Sequence, residues 1–389
     1  MKIILIAHPL FLGSQSMPRF TKLLADGMTK RGHQVEIWRP KPYFHRINIT
    51  LLKKWLGYID QYVIFPIQIK SRLKSEDKGT LYVVTDHALG PYVPIIADKY
   101  HVIHCHDFLA QKSALGEIPY HLTSRSGKLY QKFIRNGYIK GRNFISVSEK
   151  TQSDLKRFMI DNSYRSEMVY NGVDNSYQSL SITAPRETIG SLLQKKLTDG
   201  YILHIGGNQW YKNRVGVIEI YEQWRVRYNK SLPLLLIGNR PNSLLQSKRE
   251  QSIYKEDIHL MFDINDEQVK IAYSGASVFL FPSIAEGFGW PIAEAMACKT
   301  IVITTEEAPM SEVAGEAAFF IKRKPFLESE EIRWADEAAE TLETVLQLDN
   351  NEREVWIAKG LTNVKRFQVD EALNKIEKIY LQVSTDILT

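Results

Sequence analysis

Short apolar runs alternate with stretches of helical spacing along this chain, and the alternation restarts once. The first set of runs is Lys2–Ala7, Gln34–Trp38, Leu81–Thr85, Val102–Cys105, Phe144–Val147 and Met168–Tyr170. The second is Tyr201–Ile205, Pro233–Ile237, Ile258–Phe262, Ala276–Phe281, Thr300–Ile303 and Ala317–Ile321. Runs this short, spaced by helices, indicate βαβ units and a parallel sheet. Between the first two, Phe20, Leu23, Leu24 and Met28 fall at helical spacing, and Gly32 stops that helix. Residues 172–200, with Gly172, Pro185, Gly200 and several Ser and Thr, read as a linker. The expectation is an α/β chain of two Rossmann-like, doubly wound domains, 1–175 and 176–367, with a C-terminal helix at 368–389 returning to the first. Ligands of such sheets bind beyond the carboxyl ends of the strands, so the cleft between two facing sheets is the expected site.

Composition narrows the function classes. At 44% hydrophobic and 24% charged the chain is neither disordered nor fibrous. It has no apolar stretch long enough to span a bilayer, and its first residues, MKIILIAHPLFLG, read as a strand and turn, not a signal peptide. Cys105 and Cys298 form neither a disulfide framework nor a metal site, so a cytoplasmic protein is expected. The sequon Asn48-Ile49-Thr50 matters only in a secreted chain. Residues 1–180 hold 26 Lys and Arg against 14 Asp and Glu, while the remainder is acidic. One domain therefore faces something anionic, such as a membrane surface or a phosphate-bearing substrate. Nucleic acid fits the charge, but no recognition motif is present and the acidic half repels it, so no nucleic-acid partner is expected.

No GxGxxG follows the first strand, and GxxxxGK[ST], HExxH and CxxC are absent. The most informative segment is Phe281-Pro-Ser-Ile-Ala-Glu286-Gly287-Phe288-Gly289-Trp-Pro291-Ile-Ala-Glu294-Ala-Met-Ala-Cys298. A buried strand ends at Phe281, and Pro291 suits the first position of a helix. The glycines let backbone N–H groups approach a ligand, and the helix start adds positive dipole. Glu286 before the helix and Glu294 on its first turn then bracket a ligand, since carboxylates accept hydrogen bonds from vicinal sugar hydroxyls. Taken alone, the same residues fit a capped helix with two surface glutamates.

The Glu-x7-Glu segment resembles the signature of the family 4 retaining glycosyltransferases. Further segments resemble the family's in the expected order. They are Arg31-Gly32-His33-Gln34-Val35, His104-Cys105-His106-Asp107, Val147-Ser148-Glu149, Asn171-Gly172-Val173-Asp174, the loop from His204 to Asn213, and Ala308-Pro309 with Glu312-Val313-Ala314-Gly315. The resemblance covers residues 1 to about 320. It implies the GT-B fold and transfer of a hexosyl unit, with retained anomeric configuration, from a nucleotide sugar to a glycan or lipid-linked acceptor. Cell-surface polysaccharide or glycolipid synthesis is the implied setting. No cofactor beyond the donor and no metal is expected. Lys212 would contact the donor diphosphate, Glu286 and the backbone of Gly287, Phe288 and Gly289 the transferred sugar, and Glu294 the ribose. His106 would lie beside the reacting sugar, the loop at Gly13 would close on the phosphates, and Asp263 and Ile264 would hold the base.

Two departures concern the phosphates. The family's Arg after the loop glycine is Gly207 here, leaving Arg214, Arg19 or a neutral bond from Asn208 to replace it. The first loop, Leu12-Gly13-Ser14, has one glycine where many members have two. His106 beside Asp107 faces the expected cleft, whereas His104 lies within its strand and reads as structural. Asp86-His87 follows another strand end and fits either acceptor contact or helix capping, so Asp86, His87 and Asp107 are the acceptor-side candidates. Lys41–Lys74 is basic and aromatic, which fits either peripheral attachment at the inner face of a membrane or a core helix with solvated lysines. The sequence also leaves open a nucleotide-sugar epimerase of the same fold, or a degenerate member that binds a nucleotide sugar without transfer.

Overall fold

In this computed structural model the chain is described over residues 1–385 except 14, 15, 48, 50, 51, 120, 162 and 179. Ser14, the sequon positions Asn48 and Thr50, and residues 386–389 therefore lie outside the described residues. The chain divides into two compact units, one of Met1–Tyr170 with Asp370–Thr389, the other Asn171–Val369.

The first unit is a six-stranded parallel sheet of β1 (Lys2–Ile6), β2 (Gln34–Trp38), β3 (Leu81–Val84), β4 (His101–Cys105), β5 (Asn143–Ser146) and β6 (Arg165–Met168). Its spatial order is β2-β1-β3-β4-β5-β6. The sixth strand is a correction: it ends at Met168, where the apolar run Met168–Tyr170 was expected to begin. As an edge strand with one neighbour, its RSEM sequence needs little apolar surface, so hydropathy misses it. The helix Ser16–Lys30 follows β1, and Gly27 lies where a Cβ would meet the Leu373 side chain at 2.6 Å. Leu373 belongs to the C-terminal helix Val369–Thr385. That helix is fixed to the unit by the Arg31–His33 motif: Arg31 Nη2 donates to Asn374 Oδ1 at 2.7 Å, and His33 Nε2 lies 2.7 Å from Glu377 Oε1. His104 is buried in β4, bonded to Tyr380 Oη at 2.7 Å, and burial drops its pKa to about 3. It is a structural residue of the unit's core.

The basic and aromatic segment forms helices Lys53–Ile59 and Phe65–Leu73, joined by a wider π turn at Asp60–Ile64. Buried Asp60 accepts from the backbone N–H groups of Phe44 and His45, which ties the preceding loop down. Phe65 and Ile69 face the core, while Tyr43, Trp55, Val63 and Ile67 are exposed.

The second unit repeats the plan with β7 (Ile202–Ile205), β8 (Leu234–Ile237), β9 (Ile258–Met261), β10 (Val278–Phe281), β11 (Val302–Thr305) and β12 (Ala318–Ile321), ordered β12-β11-β10-β7-β8-β9. Its core packs the helices Arg214–Tyr228 and Glu328–Gln347 against the sheet through Val217, Tyr221, Trp224, Trp334 and Leu342. The expected linker contains a helix, Thr183–Leu193. Pro185 is compatible with it because the first turn needs no N–H from that position.

In both sheets the strand order reverses once. The reversal lies between β1 and β3 in the first unit and between β7 and β10 in the second. Loops leaving the carboxyl ends of these adjacent strands diverge there and open a crevice for ligand.

Candidate active site

At the reversal of the second unit, the loop after β7 runs Gly206-Gly207-Asn208-Gln209 into a turn, Trp210–Lys212. Asn213, at φ 51°, caps the helix Arg214–Tyr228 by accepting from Gly216 N, and its amide donates to Pro282 O at 3.0 Å. Ile284 N donates to Tyr211 O at 2.7 Å, so the loops after β7 and β10 are held together. This brings two sequence candidates into contact. Lys212 Nζ lies 2.8 Å from both Glu286 carboxylate oxygens, over the face of Phe281.

Two residues after Lys212, at the first position of the following helix, Arg214 is only 5% exposed. One guanidinium nitrogen, Nη1, donates to Asn208 Oδ1 at 2.7 Å and to Asn239 O at 3.1 Å. Nε and Nη2 are buried, and among the described residues they have no hydrogen-bond partner. No carboxylate pairs with this guanidinium among the described residues, and burial lowers its pKa to about 10. Asn208 is itself engaged, its amide donating to Arg240 O at 2.6 Å. Any side chain at Gly207 would have to displace the tips of two flexible neighbours. A Cβ at Gly207 would lie 2.3 Å from Gln209 Oε1 and 2.7 Å from Asn239 Oδ1.

The loop after β10 turns at Gly289, with φ 108°, into the helix Trp290–Ala297. The helix therefore starts one residue before Pro291, and Glu294 falls on its second turn instead of the first. Glu294 is 4% exposed and accepts from Tyr273 Oη at 3.2 Å, a partner the sequence did not reveal. Phe288 is buried against Phe367, and Gly287 precedes it in the loop. Asp263, at φ 59°, pairs with exposed Arg240 at 3.0 Å, and Ile264 leads into the helix capped by Asn265.

The first unit assembles its own cluster at the ends of β1, β3 and β4. His106 is buried, its Nε2 3.0 Å from Thr85 O and its ring edge-on to Phe20, and burial lowers its pKa. Asp86 caps the turn His87–Tyr92 through Ala88 N. Its other contacts are His8 Nε2 at 2.9 Å and His87 Nδ1 at 3.0 Å. Burial pushes the Asp86 carboxyl up, but the bond from His8 and the close approach of the His87 ring outweigh it and hold the group well below the usual range. The His87 ring packs at a tilt against Phe108, with centroids 4.3 Å apart. Asp107 Oδ1 accepts from Leu109 N at the start of the next helix. Gly13, at φ 70°, closes the turn Leu10–Leu12 after β1. Arg19, weighed as a replacement cation, belongs to this unit, on the helix Ser16–Lys30. His8 was missed by the sequence reading, although a histidine directly after the first strand was its available signal.

Two family models match the chain, one over each half. Glycosyltransferase Family 4 matches residues 17–177, and Glycosyl transferases group 1 matches residues 186–361. The chain belongs to the family 4 glycosyltransferases. Its relatives include O-antigen chain mannosyltransferase B of Escherichia coli, 28% identical over 200 residues, or 51% of this chain and 50% of that one. O-antigen chain mannosyltransferase RfbU of Salmonella typhimurium is 26% identical over 198 residues, 50% of this chain and 51% of that one. The chain thus spans about half the length of these curated relatives in alignment. Among solved structures, sucrose-phosphate synthase of Thermosynechococcus elongatus superposes with a TM-score of 0.75 at 15% identity, covering 98% of each chain. Anabaena HepE in complex with UDP-glucose superposes at 0.71 and 14% identity, covering 97% of this chain and 98% of that one. The fold of this family 4 glycosyltransferase is therefore GT-B. Among its described residues no helix is long and apolar enough to cross a membrane.

Proposed function

We propose that this chain is a retaining glycosyltransferase that moves a hexosyl unit from a nucleotide sugar to a glycan or lipid-linked acceptor in cell-surface polysaccharide synthesis. The observation that carries the reading is the buried, carboxylate-free guanidinium of Arg214, two residues along the chain from Lys212 of the Lys212–Glu286 pair, at the strand-order reversal of the second unit. A buried cation without a carboxylate is costly unless a ligand supplies the anion. A donor diphosphate supplies two negative charges. Arg214 takes the place of the arginine that the family has where this chain has Gly207, and Lys212 joins it. Glu286 turns from Lys212 toward the sugar hydroxyls, with the backbone of Gly287, Phe288 and Gly289 around them. Glu294 holds the ribose, and the loop of Asp263 and Ile264 the base. In the first unit His106, neutral because buried, lies beside the reacting sugar, with Asp86, His87 and Asp107 toward the acceptor and Gly13 closing on the phosphates.

In the reaction the bond from the anomeric carbon to the diphosphate oxygen breaks as the acceptor oxygen bonds to that carbon on the same face. The hydroxyl proton passes to the departing phosphate. Lys212 and Arg214 stabilise the charge that develops on the leaving group, and such contacts are worth about 3–4 kcal/mol each. These cations do the work a metal would otherwise do, so metal-independent transfer is part of the proposal. The names of the O-antigen relatives favour mannose as the sugar. The exposed basic and aromatic face of residues 41–74 favours peripheral attachment to an anionic membrane.

The test is transfer from GDP-mannose and UDP-glucose to octyl glycosides, by wild-type protein and by Glu286→Ala. Transfer that disappears in a folded Glu286→Ala variant supports the reading. Donor isomerisation without an acceptor would replace it with an epimerase.

A further inference from the structure

Parallel strands β1 and β3 are neighbours, yet the chain goes from β1 to β2 first. The loops that leave β1 and β3 consequently part company, and the residues at their roots meet at the mouth of the crevice. Those residues are His8 and Asp86. Thr85 N and Oγ1 both donate to Ile6 O, which locks the two strand ends in register just before them.

The chemistry of the pair is directional. Both Asp86 oxygens are occupied, one by His8 Nε2 and the other by Ala88 N, and the residue is 8% exposed. An ionised carboxylate only accepts, so the Nε2 of His8 carries the proton and donates to it. In the neutral imidazole the other ring nitrogen, Nδ1, then holds a lone pair. Among the described residues nothing bonds it, and the His8 side chain is 19% exposed. A neutral imidazole fixed in this way offers that lone pair as an acceptor for a hydroxyl. Such tautomer selection by a buried carboxylate is a general device for orienting histidine.

We propose that His8 is an acceptor-binding residue, whose Nδ1 accepts a hydrogen bond from a ring hydroxyl of the acceptor sugar adjacent to the one that attacks. Asp86 is then a positioning residue that acts through His8 and does not itself touch the acceptor. The proposal rests on the transferase reading above and deepens it. The ligand class is a sugar with vicinal hydroxyls, because the attacking hydroxyl keeps its proton for the leaving phosphate and a neighbour must supply the bond to His8.

The experiment compares wild-type protein with His8→Ala, His8→Gln and Asp86→Asn. Donor hydrolysis and transfer to a panel of octyl glycosides are measured together, with GDP-mannose and UDP-glucose as donors. Loss of one neutral hydrogen bond predicts a fall of about tenfold in the ratio of transfer to hydrolysis for His8→Ala, expressed in acceptor KM. His8→Gln, which keeps an N–H for Asp86 and offers an amide oxygen outward, recovers part of that loss. Asp86→Asn falls toward His8→Ala, since an amide no longer dictates the tautomer. A purely structural role would lower hydrolysis and transfer together. A wild-type ratio in His8→Ala or an unrecovered ratio in His8→Gln overturns the proposal while the transferase reading stands. A wild-type protein that binds donor and transfers to none of the glycosides overturns both.

Discussion

Replacing Arg214 with Met separates the cost of a buried charge from its use. Burial lowers this guanidinium's pKa from its ordinary value to about 10. At about 1.4 kcal/mol per unit of pKa, charge burial costs the folded state about 3 kcal/mol. For a cation with a lowered folded-state pKa, that cost is fully present below about 10, hence at pH 7, and fades as pH rises toward the ordinary guanidinium value. Methionine keeps much of the side-chain volume and removes the cost. It also removes the bonds to Asn208 Oδ1 and Asn239 O, at about 1 kcal/mol each. The net expectation is a variant more stable than wild type by about 1 kcal/mol, or about 2–4 °C in Tm for a unit of this size. Ligand binding should move the other way. A nucleoside diphosphate at a hundred times its Kd stabilises the wild type by about 2.7 kcal/mol, and a hundredfold weaker variant by only about 0.4 kcal/mol. Differential scanning calorimetry with and without UDP or GDP measures both effects. A variant that loses stability yet keeps its ligand shift would make Arg214 a structural tie between the loops after β7 and β8, and would refute the reasoning.

Two further outcomes follow from burial and charge. His104 and His204 are buried neutral, each with a pKa lowered to about 3 by burial, one in each unit. Their stabilisation is complete above the unfolded value near 6.5 and is lost as pH falls toward 3, at up to about 1.4 kcal/mol per pH unit for each. Urea unfolding followed from pH 7 to 4.5 should show that slope, and His104→Gln should remove one proton's worth; an unaltered slope would contradict it. The exposed face of residues 41–74 should bind phosphatidylserine vesicles and release them as salt rises, because exposed charges are screened within about 8 Å at physiological ionic strength. Replacing Lys53, Lys54, Lys70, Arg72 and Lys74 with Gln should weaken that binding, and a wild type that ignores such vesicles at low salt would assign those lysines to solvent.

Much of the fold was legible because parallel strands are buried on both faces. Runs such as Leu81–Val84 and Leu234–Ile237 carry no polar residue, so hydropathy alone finds them. Arg165–Met168 escaped because an edge strand escapes that demand. The helix Thr183–Leu193 escaped because proline and glycine were read as breakers, whereas Pro185 sits in the first turn and Gly190 passes within 2.6 Å of Lys195 O if given a Cβ. The site was legible where contiguous residues carry it, as in the loop from Glu286 to Gly289. It was not legible where strand order makes the contact. His8 is 78 residues from Asp86 and Lys212 is 74 from Glu286. Only the adjacency of β1 with β3 and of β7 with β10 joins them. Arg214 was a candidate by proximity to Gly207, but its burial and missing carboxylate belong to the folded loops.

The anomeric configuration of the transferred sugar tests the central claim most directly. Purified wild-type protein is incubated with GDP-α-mannose or UDP-α-glucose and octyl glycosides, with and without EDTA, and the product is read at its anomeric centre by NMR. The account predicts an α-linked product, formed equally in EDTA and lost in Glu286→Ala. A β-linked product, or donor turned over only to an isomer, would contradict it.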